Sequence, residues 1–211
     1  MILHGYWRSG TSYRVRIALG LKGLAYDQAT HDLRRGEQRD AAYRALNPQG
    51  LVPALEADGL VLTQSPAILE WLEERYPDPP LLPTEPDARA IVRAMAATIA
   101  CDIHPLNNLR VLDAIRDLGA DAETVNRWIA RWIGDGFAAL EAMVARHGGG
   151  FCHGASPTLA DCHLVPQLYA AERFGVDLSP YPALVAAGVA TRLLPGVAAA
   201  HPDAQPDADR P

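Results

Sequence analysis

A chain of 211 residues is long enough for one large or two modest domains, each with an apolar core. Its residues are 49% apolar and 21% charged, a balance that excludes an intrinsically disordered protein. The formal net charge of −6 argues against a nucleic-acid binder, because such proteins carry a basic face. A small anionic ligand held by a few local arginines remains compatible with this charge.

The three cysteines, Cys101, Cys152 and Cys162, do not form the pattern of a disulfide framework, so a reducing, cytoplasmic location fits best. Cys162 and His163 lie near His153, but no spacing in the chain matches a zinc pattern, and we predict no metal site. The amino terminus lacks the pattern of a signal peptide, and no apolar run is long enough to span a membrane.

The first eighty residues alternate between strand-like and helix-like patterns. An apolar run at residues 2–7 predicts a strand, and residues 12–22 have helical spacing that ends at Gly23, with Arg14 and Arg16 off the apolar face. Residues 24–31 predict a second strand and residues 38–46 a short helix. The sequence therefore begins with a βαβ pattern followed by a helix.

A hairpin signal follows, because Asp58-Gly59 lies between two apolar runs in residues 51–62. Pro53 stands at the start of the first of these runs, where a cis peptide bond would expose the backbone of Val52 to a ligand. Ser65 and the proline after it begin another predicted helix. Residues 77–86 are rich in proline and acids, which is typical of an interdomain linker.

Every predicted element after the linker is helical. Helices are expected over residues 88–103, 109–118, 122–147 and 159–174, and Thr158 with Asp161 has the spacing of a capping box. Prolines and aspartates predict a frayed tail from about residue 201. The predicted fold class is thus α/β plus all-α, with a βαβ-α-ββα domain of residues 1–80 and a helical domain of residues 87–211.

Two stretches of the first domain suit an anionic ligand. The turn that carries Ser9 and Ser12 joins a strand to a helix, so hydroxyl groups and free helix N–H groups meet there. Gln64-Ser65 opens a helix in the same way. Each serine has a simpler interpretation as a helix cap. Together with the backbone of Val52, which offers pairing to an extended peptide, they suggest a short peptide with a thiol and carboxylates, such as glutathione.

The chain resembles the zeta-class glutathione transferases, the maleylacetoacetate and maleylpyruvate isomerases. The resemblance rests on five segments: YWRSGTSYRVRIAL at 6–19, ALNPQGLVP at 45–53, QSPAI at 64–68, NNLR at 107–110 and ERFGVDL at 172–178. It covers nearly the whole chain in order. It implies a thioredoxin-like amino-terminal domain, a helical carboxyl-terminal domain, a homodimer, and glutathione as cofactor.

One position departs from the family pattern. The family signature usually reads serine-serine-cysteine-serine, whereas this chain has Ser9-Gly10-Thr11-Ser12. The serine that activates the thiol in the family is kept as Ser9, and Thr11 stands in place of the cysteine. The reactive sulfur is therefore expected to belong to glutathione. The glycine-threonine pair and the segment CDIHP at 101–105 resemble the maleylpyruvate isomerase branch more closely.

The resemblance implies a glutathione-dependent cis–trans isomerase. A thiolate that adds to a cis double bond next to carbonyls makes the bond single, so that it can rotate before the thiolate leaves. The implied catalytic residues are Ser9, Arg8, Arg110 and Arg173. The implied glutathione-binding residues are Ser9, Thr11, Gln38, Val52, Gln64, Ser65, His104 and Asn108.

Simpler roles stay open for several of these residues. Arg173 can satisfy the last carbonyls of a helix, Arg110 can be a surface charge, and His104 can be a helix-end histidine. In the implied role the arginines bind substrate carboxylates, for which a permanently charged, bidentate donor is suited. His104 would be a proton carrier.

Alternative functions also stay open. One is a general glutathione transferase or dehalogenase that acts on small electrophiles such as alpha-halo acids. Three arginines in one pocket argue against it, because apolar electrophiles prefer an apolar pocket. Another is a non-catalytic glutathione-binding module, against which Ser9 argues. The sequence does not separate maleylacetoacetate from maleylpyruvate as substrate.

Overall fold

The computed structural model describes residues 1–209. It divides into two compact units. The first joins Met1–Leu81 to the chain from Arg192 onwards, and the second is Leu82–Thr191. The predicted helical domain, residues 87–211, includes the last segment, which the structure instead groups with the first unit.

The order of elements follows the predicted pattern, with all strands in the first unit. The strands are β1 (Ile2–Gly5), β2 (Asp27–Thr30), β3 (Ala54–Ala57) and β4 (Leu60–Thr63). The helices are α1 (Gly10–Leu21), α2 (Ala41–Leu46), α3 (Ser65–Arg75), α4 (Pro86–Ala97), α5 (Leu109–Asp117), α6 (Ala122–His147), α7 (Leu159–Arg173), α8 (Pro182–Arg192) and α9 (Pro195–Ala199). A π-helical turn and three short 3-10 turns complete the described elements, at Thr98–Ile103, Glu37–Arg39, His104–Asn107 and Pro202–Ala204.

The four strands form one mixed sheet in the order β2-β1-β3-β4. β1 and β2 are parallel and are connected through α1, whereas β3 is antiparallel to both β1 and β4. Asp58 and Gly59 form the predicted hairpin turn, and both have positive φ angles, of 51° and 78°. The thioredoxin-like arrangement and the helical second half are confirmed.

Helix α1 lies in the centre of the first unit, against α3 and α9. Val15, Ile17 and Leu19 are completely buried although Ile17 lies on the opposite side of the helix from the other two, so α1 is enclosed all round. Arg14 and Arg16 are buried as well, at 2% and 1% exposure, so the expectation that they lie off the buried face is wrong. A buried guanidinium needs polar partners. The partners of these two arginines include backbone carbonyls and a serine hydroxyl near the predicted site.

A polar cluster links β1 and β3 to His31, which directly follows β2. His4 Nε2 lies 2.6 Å from Glu56 Oε1, and His4 Nδ1 lies 3.0 Å from His31 Nε2. The ring of His31 also packs on Tyr43, whose hydroxyl donates to the carbonyl of Leu51 at 2.6 Å. Burial, and next the charge of His4, lower the pKa of His31 below its usual value.

The predicted linker begins in an ordered segment. Lys22 Nζ is buried and donates to Glu73 Oε2 at 2.7 Å and to the carbonyls of Tyr76 and Pro79 at 2.7 and 3.0 Å. Glu73 in turn accepts from the backbone N–H of Leu81 at 2.9 Å. This buried pair therefore fixes the first half of the predicted linker to the sheet unit.

The second unit is built around α6 and α7. Residues Ile129, Ile133 and Phe137 form the buried stripe of α6, while α7 is buried along most of its length. The predicted capping box is confirmed, since Asp161 Oδ2 accepts from both the backbone N–H and the hydroxyl of Thr158 at 2.8 Å. The helix predicted over residues 88–103 ends as an α-helix at Ala97 and continues as a π-helical turn.

The carboxyl-terminal segment packs through some of its residues, whereas Asp203, Ala204, Pro206 and Asp209 are exposed. Pro202 is buried, and Gln205 is only 5% exposed. The amide of Gln205 donates to the carbonyls of Ala199 and His201 at 3.0 and 2.8 Å. The prediction of a frayed tail is wrong for residues 202–207, because Pro202–Ala204 form a 3-10 turn and the side chains of Gln205 and Asp207 bond to backbone groups. Residues 210–211 of the predicted tail lie outside the described residues.

Candidate active site

The first half of the site is the turn that leads from β1 into α1. The predicted strand of residues 2–7 ends earlier, at Gly5, because the carbonyl of Tyr6 accepts from the backbone N–H of Ser9 at 3.0 Å. Ser9 is the N-cap of α1, with φ of −68° and ψ of 120°, and its Oγ accepts from the N–H of Ser12 at 3.2 Å. The hydroxyl of Ser9 thus lies at the positive end of α1, as predicted.

A chain of hydroxyl groups runs from this cap to the loop before β3. Ser9 Oγ lies 2.9 Å from Thr11 Oγ1, which donates to the carbonyl of Val52 at 3.0 Å. A carbonyl oxygen can only accept, so the single hydrogen of Thr11 is used there. Ser9 is therefore the donor toward Thr11. Thr11, at the family's cysteine position, connects two predicted glutathione-binding positions, Ser9 and Val52.

The loop that carries Val52 is itself held by hydrogen bonds. The carbonyl of Leu51 accepts from the hydroxyl of Tyr43 at 2.6 Å and from the amide of Asn47 at 2.7 Å. The peptide bond between Val52 and Pro53 is cis. The hydrogen bonds to Leu51 and to the carbonyl of Val52 fix the position of this backbone segment.

A second anion-binding feature lies at the start of α3. Ser65 is buried, and its Oγ accepts from Arg14 Nη1 at 3.3 Å. Gln64, just before it, has a positive φ of 67°, and its amide donates to Gln49 at 2.7 Å. A buried guanidinium and the positive end of α3 together suit a carboxylate. Arg14 was not among the predicted site residues, because the helical spacing of α1 placed it off the apolar face.

Gln38 lies in the short 3-10 turn before α2. Its side chain is 9% exposed, and Oε1 is buried with no hydrogen-bond partner among the described residues. A buried amide oxygen of this kind favours a donor from outside the chain, such as an N–H group of a ligand. This fits the predicted role of Gln38 in binding glutathione, which is rich in such groups.

Arg8 lies within the turn that closes from Tyr6 to Ser9, directly before Ser9. Its guanidinium is 5.2 Å from the ring centroid of Trp7, and it forms no ion pair with a carboxylate of residues 1–209. An arginine stacked on an aromatic ring keeps its N–H groups available for a ligand anion.

The remaining predicted residues lie in the second unit. Asn108 caps α5, because its Oδ1 accepts from the N–H of Arg110 at 3.2 Å, and Arg110 is exposed in the first turn. His104 begins the 3-10 turn that precedes α5. Arg173 is the last residue of α7 and lies 4.6 Å from the ring centroid of Phe174. The helix-end position considered for Arg173 is thus observed, and the roles of these four residues in a site stay predictions.

No group of three histidine, cysteine, aspartate or glutamate side chains within residues 1–209 is placed to hold a metal ion. Within the same residues, none of the helices has the length and apolar character needed to cross a membrane.

Comparison with known proteins identifies the family. Residues 8–75 match the model of the glutathione S-transferase N-terminal domain. The chain is 52% identical over 210 residues to the maleylacetoacetate isomerase of Pseudomonas aeruginosa, a match that covers 98% of each chain.

Two solved structures are similar throughout. The holo structure of a maleylpyruvate isomerase, a bacterial zeta-class glutathione transferase, is 51% identical with a TM-score of 0.97, covering 99% of this chain and 100% of the other. The maleylacetoacetate isomerase of Anaeromyxobacter dehalogenans with glutathione in its active site is 48% identical with a TM-score of 0.90, covering 99% and 97%. With the Ser9 cap and the thioredoxin-like sheet, these matches show that the chain belongs to the glutathione transferase family, among the zeta-class isomerases.

Proposed function

We propose that this chain is a glutathione-dependent cis–trans isomerase that acts on maleylpyruvate or maleylacetoacetate. The observation that carries the proposal is the hydroxyl of Ser9 at the amino terminus of α1, linked through Thr11 to the backbone of Val52. The family supplies the reaction class, since relatives of nearly full coverage bear the names of both isomerases.

Bound glutathione supplies a thiolate that adds to the cis double bond, makes it single so that it rotates, and leaves as the trans bond forms. The protein favours the charged form of that sulfur by two means. Ser9 donates a hydrogen bond, and the N–H groups of α1 add the positive end of a helix dipole. The residues also fit glutathione elsewhere: Arg14 and Ser65 suit a carboxylate, and Val52 offers backbone pairing.

Arginines have the second task in the proposal, which is to bind the substrate carboxylates. Arg8 brings a permanent positive charge next to Ser9, and we propose that Arg110 and Arg173 serve the same substrate. A guanidinium also stabilises negative charge that develops on a carbonyl oxygen during the reaction. His104 and Asn108 are proposed to bind glutathione. A homodimer and a cytoplasmic location complete the proposal, and sedimentation of the purified protein tests the dimer.

The test of the reaction uses the purified protein with each cis substrate, with and without glutathione, and follows formation of the trans product. We expect turnover of at least one substrate and none without glutathione. Turnover of neither substrate would refute the isomerase, and turnover that does not need glutathione would refute the thiol chemistry. A parallel assay with an alpha-halo acid detects the alternative, a conjugating transferase or dehalogenase.

The test of the carboxylate-binding arginines compares Arg8→Ala, Arg110→Ala and Arg173→Ala with Arg127→Ala, which alters an exposed arginine paired with Glu123. Each of the first three should lower kcat/KM by about 10- to 100-fold, since a charge-assisted bond contributes about 1.5–3 kcal/mol, while glutathione affinity persists. Kinetics equal to those of Arg127→Ala in all three variants would remove this part of the proposal.

A further inference from the structure

The turn that presents Arg8 and Ser9 has few contacts of its own. It closes through one backbone hydrogen bond, from Ser9 N–H to the carbonyl of Tyr6 at 3.0 Å. In such a turn the N–H of the second residue, here Trp7, has no partner within the turn. The position of the turn, and hence of Arg8 and Ser9, therefore depends on groups from other parts of the chain.

Arg16 holds one side of the turn. Its buried guanidinium donates from Nη2 to the carbonyl of Trp7 at 2.8 Å and from Nη1 to the carbonyl of Tyr6 at 3.5 Å. The same side chain donates from Nε to the carbonyl of Ala200 at 3.0 Å. One cation thus joins the turn to the end of α9, far along the sequence.

Asp207 holds the other side. Its Oδ2 accepts from the backbone N–H of Trp7 at 2.9 Å, which satisfies the donor that the turn leaves unused. Its Oδ1 is buried and has no hydrogen-bond partner among the described residues. A half-buried carboxylate costs free energy in such a place, so the bond to Trp7 is the contact that explains its position.

The segment that carries Asp207 is itself anchored to the sheet unit. Gln205 accepts from the amide of Gln28 at 2.7 Å, and Asp209 pairs with Arg34 at 2.6 Å. Gly196 in α9 lies so close to Gly20 in α1 that a Cβ on either glycine would overlap the backbone of the other. Asp207 is thus held by a fitted segment and not by a loose terminus.

We propose that Asp207 is a positioning residue for the proposed isomerase, which sets the turn so that Ser9 and Arg8 face the thiol and the substrate. It touches neither reactant, and it acts through Trp7. The proposal rests on the proposed function for its reaction. The effect of Asp207 on Ser9, however, can be measured without turnover, as the pKa of the thiol of bound glutathione. Loss of the hydrogen bond between Asp207 and Trp7 should move Ser9 away from the glutathione sulfur, so the thiolate form of that sulfur should be less favoured.

The test compares Asp207→Ala, Asp207→Asn and a control variant, Asp203→Ala. In each purified variant the pKa of bound glutathione is read from thiolate ultraviolet absorbance against pH, and kcat and KM are measured separately. For Asp207→Ala we expect a thiol pKa higher by about half a unit to one unit and a kcat lower on the order of tenfold. Asp207→Asn keeps an acceptor for the N–H of Trp7, so its thiol pKa and kcat should lie between those of Asp207→Ala and those of the natural protein.

Asp203→Ala is the matched control, because it removes an exposed carboxylate of the same segment that pairs with His201 and not with the turn. It should keep the natural thiol pKa and kcat. If Asp207→Ala does not fold, the comparison of Asp207→Asn with Asp203→Ala decides, and equal thiol pKa values in those two variants overturn the proposal. A folded Asp207→Ala with natural thiol pKa and kcat also overturns it. A natural protein that binds glutathione but turns over neither substrate refutes the isomerase, whereas the thiol pKa comparison still decides on Asp207.

Discussion

Replacing Ser9 by alanine removes an oxygen with two measurable roles. As the N-cap of α1 it accepts from the N–H of Ser12, and as a hydroxyl it donates to Thr11. Loss of such a cap costs about 0.5–2 kcal/mol of stability. For a chain of this length we expect the melting temperature to fall by roughly 2–4 °C per kcal/mol.

The effect on the thiol follows from the direction of the hydrogen bonds. Since Thr11 donates to Val52, Ser9 must leave Thr11 in order to donate to a thiolate. A bond to a charged acceptor contributes about 1.5–3 kcal/mol and the neutral bond given up about 1 kcal/mol. The net preference of about 0.5–2 kcal/mol corresponds to roughly 0.4–1.5 pKa units and roughly 2- to 30-fold in reaction rate.

The assay measures thiolate absorbance of bound glutathione against pH in Ser9→Ala, together with kcat. Asp121→Ala is the control, since Asp121 caps α6 through the N–H of Thr124 and lies outside the proposed site. Both variants should lose stability, but only Ser9→Ala should raise the thiol pKa. An unchanged thiol pKa in Ser9→Ala would refute the reasoning.

Thr11→Val should not raise the pKa of the bound thiol, in contrast to Ser9→Ala in the same assay. It removes the group to which Ser9 donates, so Ser9 has no bond to give up when a thiolate forms. The pKa of the bound thiol should therefore fall or stay unchanged. A rise as large as that of Ser9→Ala would mean that Thr11, and not Ser9, is the main donor to the sulfur.

Two further predictions concern the cysteines and His31. Cys101 is exposed and should react at once with a disulfide reagent, whereas Cys152 and Cys162 are buried and should react only when the protein unfolds. Burial and the charge of Asp161 also raise the pKa of Cys152, which makes its thiolate rarer. Prompt reaction of all three thiols would contradict this prediction. Burial lowers the pKa of His31 in the folded protein. Below about pH 6.5 the unfolded chain therefore binds more protons than the folded chain. As the pH is lowered from there to the folded pKa, the free energy of unfolding should fall by up to ~1.4 kcal/mol per pH unit. Urea unfolding at several pH values should show a flatter dependence for His31→Gln, and an equal slope in both proteins would exclude His31 as the cause.

The parts of the fold that local patterns encode were predictable from sequence. Hairpin chemistry at Asp58-Gly59, the capping box at Thr158 and the apolar spacing of α1 each depend on neighbours a few residues away, and the structure has all three. The end of β1 was not predictable, since Tyr6 and Trp7 are buried and apolar in a turn just as they would be in a strand.

Contacts between distant residues account for the other differences. The prolines and aspartates near residue 201 predict a loose tail when only neighbouring residues are considered. In the structure Asp207 accepts a hydrogen bond from Trp7, 200 residues away in the sequence. Arg16 looks like a solvent-exposed charge until the carbonyls around it are known. The Ser9 cap was predicted because its partner Ser12 lies within the same helix, whereas the link through Thr11 to Val52 needed the fold.

The first unit is interrupted in sequence, and this has a consequence for how the chain is made. Met1–Leu81 and the segment from Arg192 onwards form one unit, separated by the whole of Leu82–Thr191. During synthesis the sheet emerges first, yet α1 lacks its contact with α9, and Trp7 lacks Asp207, until the second unit has already been translated. Contacts at such separation are slow to form because a long loop must close first. The amino-terminal end of α1 and the turn before it are thus completed late in folding, after the all-helical insertion has had time to fold as a continuous unit.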